Sequence, residues 1–99
     1  MPQPALIVLV RFRSPLSLDE IMAIARERAP EFRALPGLQQ KYYVQDAESG
    51  EYGGFYHWES PEAFAEYRES ELRASIAAAY QAEGEPRVEV CRVIEPLRV

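Results

Sequence analysis

Two segments of this chain are apolar at consecutive positions, and this pattern restricts the possible folds more than any other feature. Residues 5–12 read ALIVLVRF and residues 51–58 read EYGGFYHW. Because successive side chains of a strand point to opposite faces of its sheet, each segment would present apolar side chains to both faces. Such strands are covered on both sides in folded proteins. The fold must therefore bury both faces of its central strands.

The segment after the first strand predicts a helix. Ser17 and Glu20 form a capping box, and the apolar residues that follow recur close to the 3.6-residue period. Pro30 predicts a kink or an early end of this helix, because proline removes one helical hydrogen bond. Pro36 and Gly37 then stop it.

The rest of the chain predicts two more strands around the second apolar segment, and a second helical region. Residues 38–45 (LQQKYYVQ) predict a strand, and residues 46–50 form a polar hairpin loop that ends in glycine. Ser60 caps a second helix, and Ser70 caps a possible separate one. Residues 87–94 alternate and predict an edge strand.

The resulting order is β-α-β-β-α-β, the ferredoxin-like arrangement, an α+β fold with a four-stranded antiparallel sheet. Its 99 residues suit one domain, so we assign residues 1–99 to a single domain. Two helices cover only one face of such a sheet. The other face, which carries Ile7 and Leu9, needs a second cover, and the simplest is another copy of the chain. We therefore expect a homodimer that packs through the sheet face.

Charge and composition exclude several classes of partner and cofactor. The net charge is −5, and residues 51–99 hold ten glutamates against five arginines, which argues against nucleic acid and anionic membranes. One cysteine, Cys91, and one histidine, His57, cannot supply a zinc ligand set within one chain, so we expect no metal. The longest uncharged apolar run, residues 5–10, is far shorter than the ~20 residues of a membrane span. Because the first residues also lack signal-peptide features, we expect a cytoplasmic protein.

A group of turn, cap and aromatic residues resembles a known family. They are Pro36-Gly37-Leu38, Lys41, Gly53-Gly54-Phe55-Tyr56, Trp58-Glu59-Ser60 and Glu95-Pro96-Leu97. With them, nearly the whole chain resembles the small YdhR-like monooxygenases of the dimeric α+β barrel superfamily, which includes the antibiotic-biosynthesis monooxygenases. The resemblance implies a dimer with a pocket in each subunit between sheet and helices. It also implies oxidation of a small electron-rich aromatic or polyketide-like substrate without flavin or metal.

The sequence departs from that superfamily at two polar positions. Its better-understood monooxygenases carry an asparagine four residues before the tryptophan and a tyrosine six residues after it. Here Trp58 matches, but Gly54 and Phe64 occupy the other two positions. The haem-degrading branch needs an asparagine and a helical histidine, and this chain has neither.

Three neighbouring residues are the catalytic candidates. Tyr56 and Trp58 share strand parity with Gly54, whose missing side chain would leave a hollow beside two aromatic rings with polar tips. This arrangement predicts the floor of an aromatic-binding pocket; the alternative is core packing with a bulge at Gly53 and Gly54. His57 is the third candidate because an imidazole accepts protons at neutral pH. Strand parity aims it away from Trp58, so an interface role is its alternative.

Four further residues are candidates for substrate binding besides Gly54. Tyr42 and Tyr43 must lie on opposite faces of their strand, and the spacing of apolar residues along it favours Tyr42. Phe64 and Tyr67, three residues apart on the second helix, would roof the cavity or simply belong to the core. Phe12 lies on the helix-facing side of the first strand.

The basic residues leave one question open. Arg11, Arg13 and Lys41 could bind an anionic substrate, but the sequence does not place them together. The alternative for the two arginines is an interface salt bridge to Glu89 or Glu95. Two functions follow: a cofactor-independent monooxygenase, or a non-catalytic dimeric protein that binds a small molecule or acts in stress.

Overall fold

A four-stranded antiparallel sheet with helices against one face forms the protein, in a computed structural model that describes residues 3–98. The elements in chain order are β1 (Leu6–Phe12), α1 (Leu18–Arg33), β2 (Leu38–Gln45), β3 (Tyr52–Trp58), α2 (Pro61–Arg68), α3 (Glu71–Ala74), α4 (Ile76–Ala79) and β4 (Arg87–Arg92). The strands lie in the order β2-β3-β1-β4. This is the ferredoxin-like α+β fold that the sequence predicts.

The two strands that are apolar on both faces occupy the centre of the sheet, as predicted. Along β1 and β3, fully buried residues alternate with half-buried ones. The buried set faces the helices and forms the core, and it includes Val8, Tyr56 and Trp58. The half-buried set forms the opposite face, which we call the outer face; it includes Ile7, Leu9, Phe55 and His57.

Helix α1 begins where the sequence predicts but does not end at its proline. The capping box is present: the Ser17 N–H donates to Glu20 Oε1 at 2.9 Å, and the Glu20 N–H donates to Ser17 Oγ at 3.2 Å. Of the two outcomes predicted at Pro30, a kink or an early end, the early end is wrong, because the helix continues to Arg33. Phe32, only 3% exposed, explains the continuation: its burial favours the last turn over the one hydrogen bond that proline removes.

Strand β2 contains an extra residue near its start. Leu38 pairs with Trp58 of β3, but Gln40 already pairs with His57, so Gln39 has no partner of its own. This β-bulge inverts the parity of every later residue in β2. The pairing of β3 shows no irregularity at Gly53 and Gly54, so the bulge that the sequence allowed there lies in β2 instead.

The second helical region is divided by serine caps. Ser60 Oγ accepts from the Ala63 N–H at 3.1 Å at the start of α2, and Ser70 Oγ accepts from the Arg73 N–H at 3.1 Å at the start of α3. The separate helix predicted after Ser70 is present as two single turns, α3 and α4, which meet at Ser75. Strand β4 is shorter than predicted and ends at Arg92. No helix within residues 3–98 is long and apolar enough to cross a membrane.

Candidate functional site

A cavity of about 260 Å³ lies between the helix-facing side of the sheet and helices α1 and α4. Its apolar wall includes Val10, Phe12, Ile21, Met22 and Ile76. Its polar groups come mainly from Lys41 and from four tyrosines, Tyr43, Tyr52, Tyr56 and Tyr80. The cavity lies where the resemblance implied one, and its lining suits an aromatic ligand that carries a polar substituent.

Lys41 reaches this cavity because of the bulge. The inverted parity places it opposite Tyr56 on the helix-facing side of the sheet. Its Nζ lies 3.5 Å from the ring centroid of Phe32, 4.7 Å from that of Tyr43 and 4.8 Å from that of Tyr56. Among residues 3–98 no carboxylate lies within 4.0 Å of this ammonium group. The only lysine of the chain is thus held among aromatic rings without a counter-charge.

Burial controls the ionisation of this amine. Burial and, to a smaller extent, the positive charge of Arg28 together lower the pKa of Lys41 to about 7. Arg28 Nη2 donates to Ser75 Oγ at 2.8 Å, and its guanidinium lies 5.9 Å from the ring centroids of Phe32 and of Tyr80. At neutral pH, Lys41 therefore exists in both the charged and the uncharged form.

The hydroxyl groups of Tyr43, Tyr56 and Tyr80 stay protonated at neutral pH. Burial raises the pKa of Tyr43, raises that of Tyr80 to about 12, and raises that of Tyr56 well above its usual range. The Tyr52 hydroxyl is occupied, since it donates to the Leu16 carbonyl oxygen at 3.0 Å. Neutral phenols beside an amine can together hold a ligand oxygen that carries negative charge.

The hollow predicted above Gly54 is filled by neighbouring side chains. A Cβ atom at this position would lie 2.8 Å from Tyr56 Cε1 and 3.1 Å from Lys41 Cε. The prediction of empty space is therefore wrong, although Gly54 does line the cavity. The absence of a side chain allows Tyr56 and Lys41 to lie against the strand.

Trp58, Phe64 and Tyr67 form the packed core behind the cavity rather than its wall. Trp58 is fully buried, and its ring stacks on Tyr56 at 6.4 Å and 6°. Its ring centroid lies 5.1 Å from Tyr67 and 5.9 Å from Phe64. The Trp58 Nε1 and Tyr67 hydroxyl groups are buried without a hydrogen-bond partner among residues 3–98. The structure therefore links Trp58 to the cavity through Tyr56, which contacts both.

Tyr42 and His57 lie on the outer face, outside the cavity. Their rings meet edge to face, with centroids 5.7 Å apart. The orientation predicted for His57, away from Trp58, is confirmed, and it separates this imidazole from the other two catalytic candidates. The predicted pocket position of Tyr42 is wrong, because the bulge at Gln39 turns Tyr43 toward the cavity instead.

The structure thus brings together only part of the predicted site. Phe12, Gly54 and Tyr56 line the cavity, whereas Trp58, Phe64, Tyr67, Tyr42 and His57 do not. Sequence reasoning did not place Lys41, Tyr43 and Tyr80 in the cavity. Lys41 offered one signal, since it is the only lysine beside ten arginines and lies next to two tyrosines. Within the described residues, no group of three or more His, Cys, Asp or Glu side chains is placed to hold a metal ion.

Fold and cavity define a ferredoxin-like α+β protein with a small aromatic-lined site between sheet and helices. Residues 6–90 match the family described as "Putative mono-oxygenase ydhR". The chain belongs to this family. A search of the curated proteins found no match.

Solved structures share the same fold at low sequence identity. SnoaB of Streptomyces nogalater, a cofactor-independent oxygenase, has a TM-score of 0.73 and 16% identity, over 95% of this chain and 97% of that one. The ActVA-Orf6 monooxygenase of Streptomyces coelicolor, in complex with nanaomycin D, has a TM-score of 0.72 and 20% identity, over 98% and 94%. NE2512 of Nitrosomonas europaea, of unknown function, has a TM-score of 0.75 and 14% identity, over 97% and 95%. At these identities the likeness shows the fold alone.

Proposed function

We propose that this protein is a cofactor-independent monooxygenase that oxidises a small electron-rich hydroxyaromatic compound in the cavity between sheet and helices. The observation that carries the proposal is the cavity itself, an apolar space whose polar groups are mainly phenols and one unpaired amine. Membership of a family described as mono-oxygenases supports the reaction class. SnoaB, which shares this fold and is described as a cofactor-independent oxygenase, supports a reaction without a cofactor.

The reaction needs no external reductant if the substrate supplies the electrons. A phenol and O2 have together the composition of a quinone and water. One oxygen atom enters the ring as a carbonyl, the other leaves as water, and the substrate provides all four electrons. An anionic substrate transfers electrons to O2 more readily than a neutral one, so the protein must stabilise that anion and exclude water. Lys41, Tyr43 and Tyr56 are the cavity groups that can do so.

The size of the cavity limits the substrate. A protein cavity of ~150 Å³ holds one benzene molecule. The volume of about 260 Å³ therefore suits one ring or two fused rings. Hydroquinones, naphthols and naphthohydroquinones fall within this limit.

The test is oxygen uptake by the purified protein, above the rate without protein, with a panel of these compounds, together with the mass of the quinone product, which must show that one oxygen atom has entered the ring. Met22 lines the cavity from α1 and is half-buried, so Met22→Trp should fill the space, whereas the matched control Met22→Leu should not. We expect uptake in the wild type and in Met22→Leu, and its loss in a folded Met22→Trp protein. Equal turnover in all three would place the reaction elsewhere, and no uptake with any compound would refute the proposal.

A second function has its own support in the structure. Gly54 and Phe64 stand where the superfamily's monooxygenases have polar side chains, and Trp58 does not line the cavity. These features favour a dimeric protein that binds a small aromatic molecule, or acts in stress, without oxidising it. Saturable binding of the same compounds without oxygen uptake would support this alternative.

We further propose that two copies pack through their outer faces. Ile7, Leu9 and Phe55 are only half-buried there, and Tyr42 is 53% exposed. A groove of about 450 Å³ on this face is lined by Ile7 and His57, and also by Val93 and Pro96 of the C-terminal segment. Ile94 and Leu97 of that segment are 93% and 96% exposed, which would be unusual for two large apolar residues in a monomer. A second copy would cover both the outer face and these side chains.

A further inference from the structure

Lys41 stands between two cavities. With Tyr43 it lines both the 260 Å³ cavity and a neighbouring polar cavity of about 300 Å³ at the end of α1 and the start of β2. The second cavity is also lined by Arg33, Gln39 and Gln40. The amine therefore lies where a ligand in the first cavity and solvent-linked polar groups in the second can both approach it.

The surroundings of the amine leave its hydrogen-bonding capacity free. The faces of Phe32, Tyr43 and Tyr56 attract a cation, but they offer no site for its proton. Among residues 3–98, Nζ has neither a hydrogen-bond acceptor nor an ion-pair partner. The Lys41 amine can therefore act in two ways. Its charged form can pair with an anionic ligand, and its uncharged form can accept a proton.

We propose that Lys41 accepts the proton of the ligand's hydroxyl group and holds the resulting anion in the cavity. The ligand O–H bond breaks, a new N–H bond forms at Nζ, and the electron pair of the broken bond stays on the oxygen. The product is an ion pair between the Lys41 ammonium and an aryl oxide, and no proton enters or leaves the solvent. This inference deepens the proposed function, since the aryl oxide is the species that reduces O2, but the binding step itself needs no turnover.

Neighbouring groups determine which hydroxyaromatics can react in this way. Arg28 adds positive charge, and the Tyr43 and Tyr56 phenols line the same cavity and can donate to the oxygen. Because the amine of Lys41 titrates near neutrality, it deprotonates an acidic hydroxyaromatic better than a phenol like that of tyrosine, which titrates near ~10. Among the hydroxyaromatics that fit the cavity, the more acidic ones should therefore form this ion pair most readily.

The experiment uses para-nitrophenol, which ionises near neutral pH, changes colour on ionising and is not readily oxidised by O2. It is added to the wild type at a pH where the free compound is mostly protonated and the amine partly uncharged. Absorbance reports its ionisation, and calorimetry in buffers of different ionisation enthalpy reports protons exchanged with the solvent. We expect the absorbance band of the aryl oxide to appear on binding. For the fraction of protein whose Lys41 amine is uncharged, we expect almost no exchange of protons with the solvent.

Three variants separate the roles of Lys41. Lys41→Met removes both charge and base, so the band should be lost and affinity should fall by about tenfold or more. Lys41→Arg keeps a permanent charge that accepts no proton, so it should bind the anion but release one proton to the solvent. Arg33→Met, which removes a charge from the neighbouring cavity, should bind as the wild type does. The melting temperature of each variant shows that it is folded.

Each result decides the matter. A wild-type complex that keeps the phenol protonated, or a Lys41→Met variant that keeps the band, would overturn the inference. Equal proton exchange in the wild type and in Lys41→Arg would show an anion site without proton transfer, and would also overturn it. An ionised complex without oxygen uptake on the panel of hydroxyaromatic compounds would support Lys41 as the proton acceptor and refute the monooxygenase function. Normal oxygen uptake by Lys41→Met would support the monooxygenase function and refute the role of Lys41.

Discussion

Replacing Lys41 with methionine should remove a pH dependence that burial of this amine imposes on stability. The folded protein releases the proton of Lys41 near its pKa of about 7, whereas the unfolded chain keeps it up to about 10.5. Between these values the unfolded state binds more protons, so the free energy of unfolding rises with pH. Below the folded pKa both states hold the proton, and the cost of burying the charge is fully present.

The size of the effect follows from the two pKa values. Full linkage amounts to ~1.4 kcal/mol per pH unit, which gives a rise of about 2 kcal/mol from about pH 7 to about pH 9. The ring faces of Phe32, Tyr43 and Tyr56 favour the charged form and oppose this shift. We therefore expect a net rise of about 1–2 kcal/mol in the wild type relative to Lys41→Met.

The difference in the free energy of unfolding between the wild type and Lys41→Met reports the ionisation of Lys41 alone, because the other titratable groups are present in both proteins. Arg28 acts on it from α1, Tyr43 faces it from β2 and Tyr56 from β3, and Tyr80 lines the same cavity from beyond α4. Burial raises the pKa of these three tyrosines, so their effect is a loss of stability above about pH 10. Measurements that stop at about pH 9 avoid that region.

The assay is urea unfolding at a fixed protein concentration, followed by the fluorescence of the fully buried Trp58. Lys41→Met should be the more stable protein at low pH, and its advantage should shrink as the pH rises. Arg33→Met, which removes an exposed charge, should keep the wild-type slope. A difference between the wild type and Lys41→Met that stays constant from about pH 6 to about pH 9 would refute the assignment of a lowered pKa to Lys41.

Three further substitutions test the packing. Gly54→Ala should lower the free energy of unfolding by about 1–3 kcal/mol in a denaturant titration, because the new Cβ meets Tyr56 at 2.8 Å; an unchanged value would show that the ring can move aside. Trp58→Phe should lower the free energy of unfolding by about 1–3 kcal/mol, because the smaller ring leaves a cavity in the core, whereas the lost N–H leaves no partner unpaired. A fall in turnover of about tenfold would show that this N–H acts on the substrate. Leu9→Glu places a charge on the outer face. Sedimentation should therefore show a dimer for the wild type and a monomer or an unfolded chain for the variant. A wild-type monomer at micromolar concentration would exclude the dimer.

The sequence by itself determined the order of the helices and strands, and which strands are buried on both faces. Apolar residues on both parities of β1 and β3 place these strands at the centre of the sheet, and their burial pattern agrees. The caps at Ser17, Ser60 and Ser70 are also readable, because each depends on atoms within a few residues of the cap. Interactions of this kind join residues that are close in the sequence, so they can be predicted from it.

The composition of the cavity was decided only in the tertiary structure. Strand alternation predicts the face of a residue only while the register is unbroken, and one extra residue at Gln39 exchanges the faces of Tyr42 and Tyr43. The same shift carries Lys41 onto the cavity wall and under the rings of Phe32 and Tyr56, which belong to α1 and β3. Cross-strand register and the space above Gly54 depend on residues far apart in the chain, so no local pattern reveals them. The sequence thus determines which strands lie at the centre of the sheet, whereas long-range packing decides which side chains line the cavity.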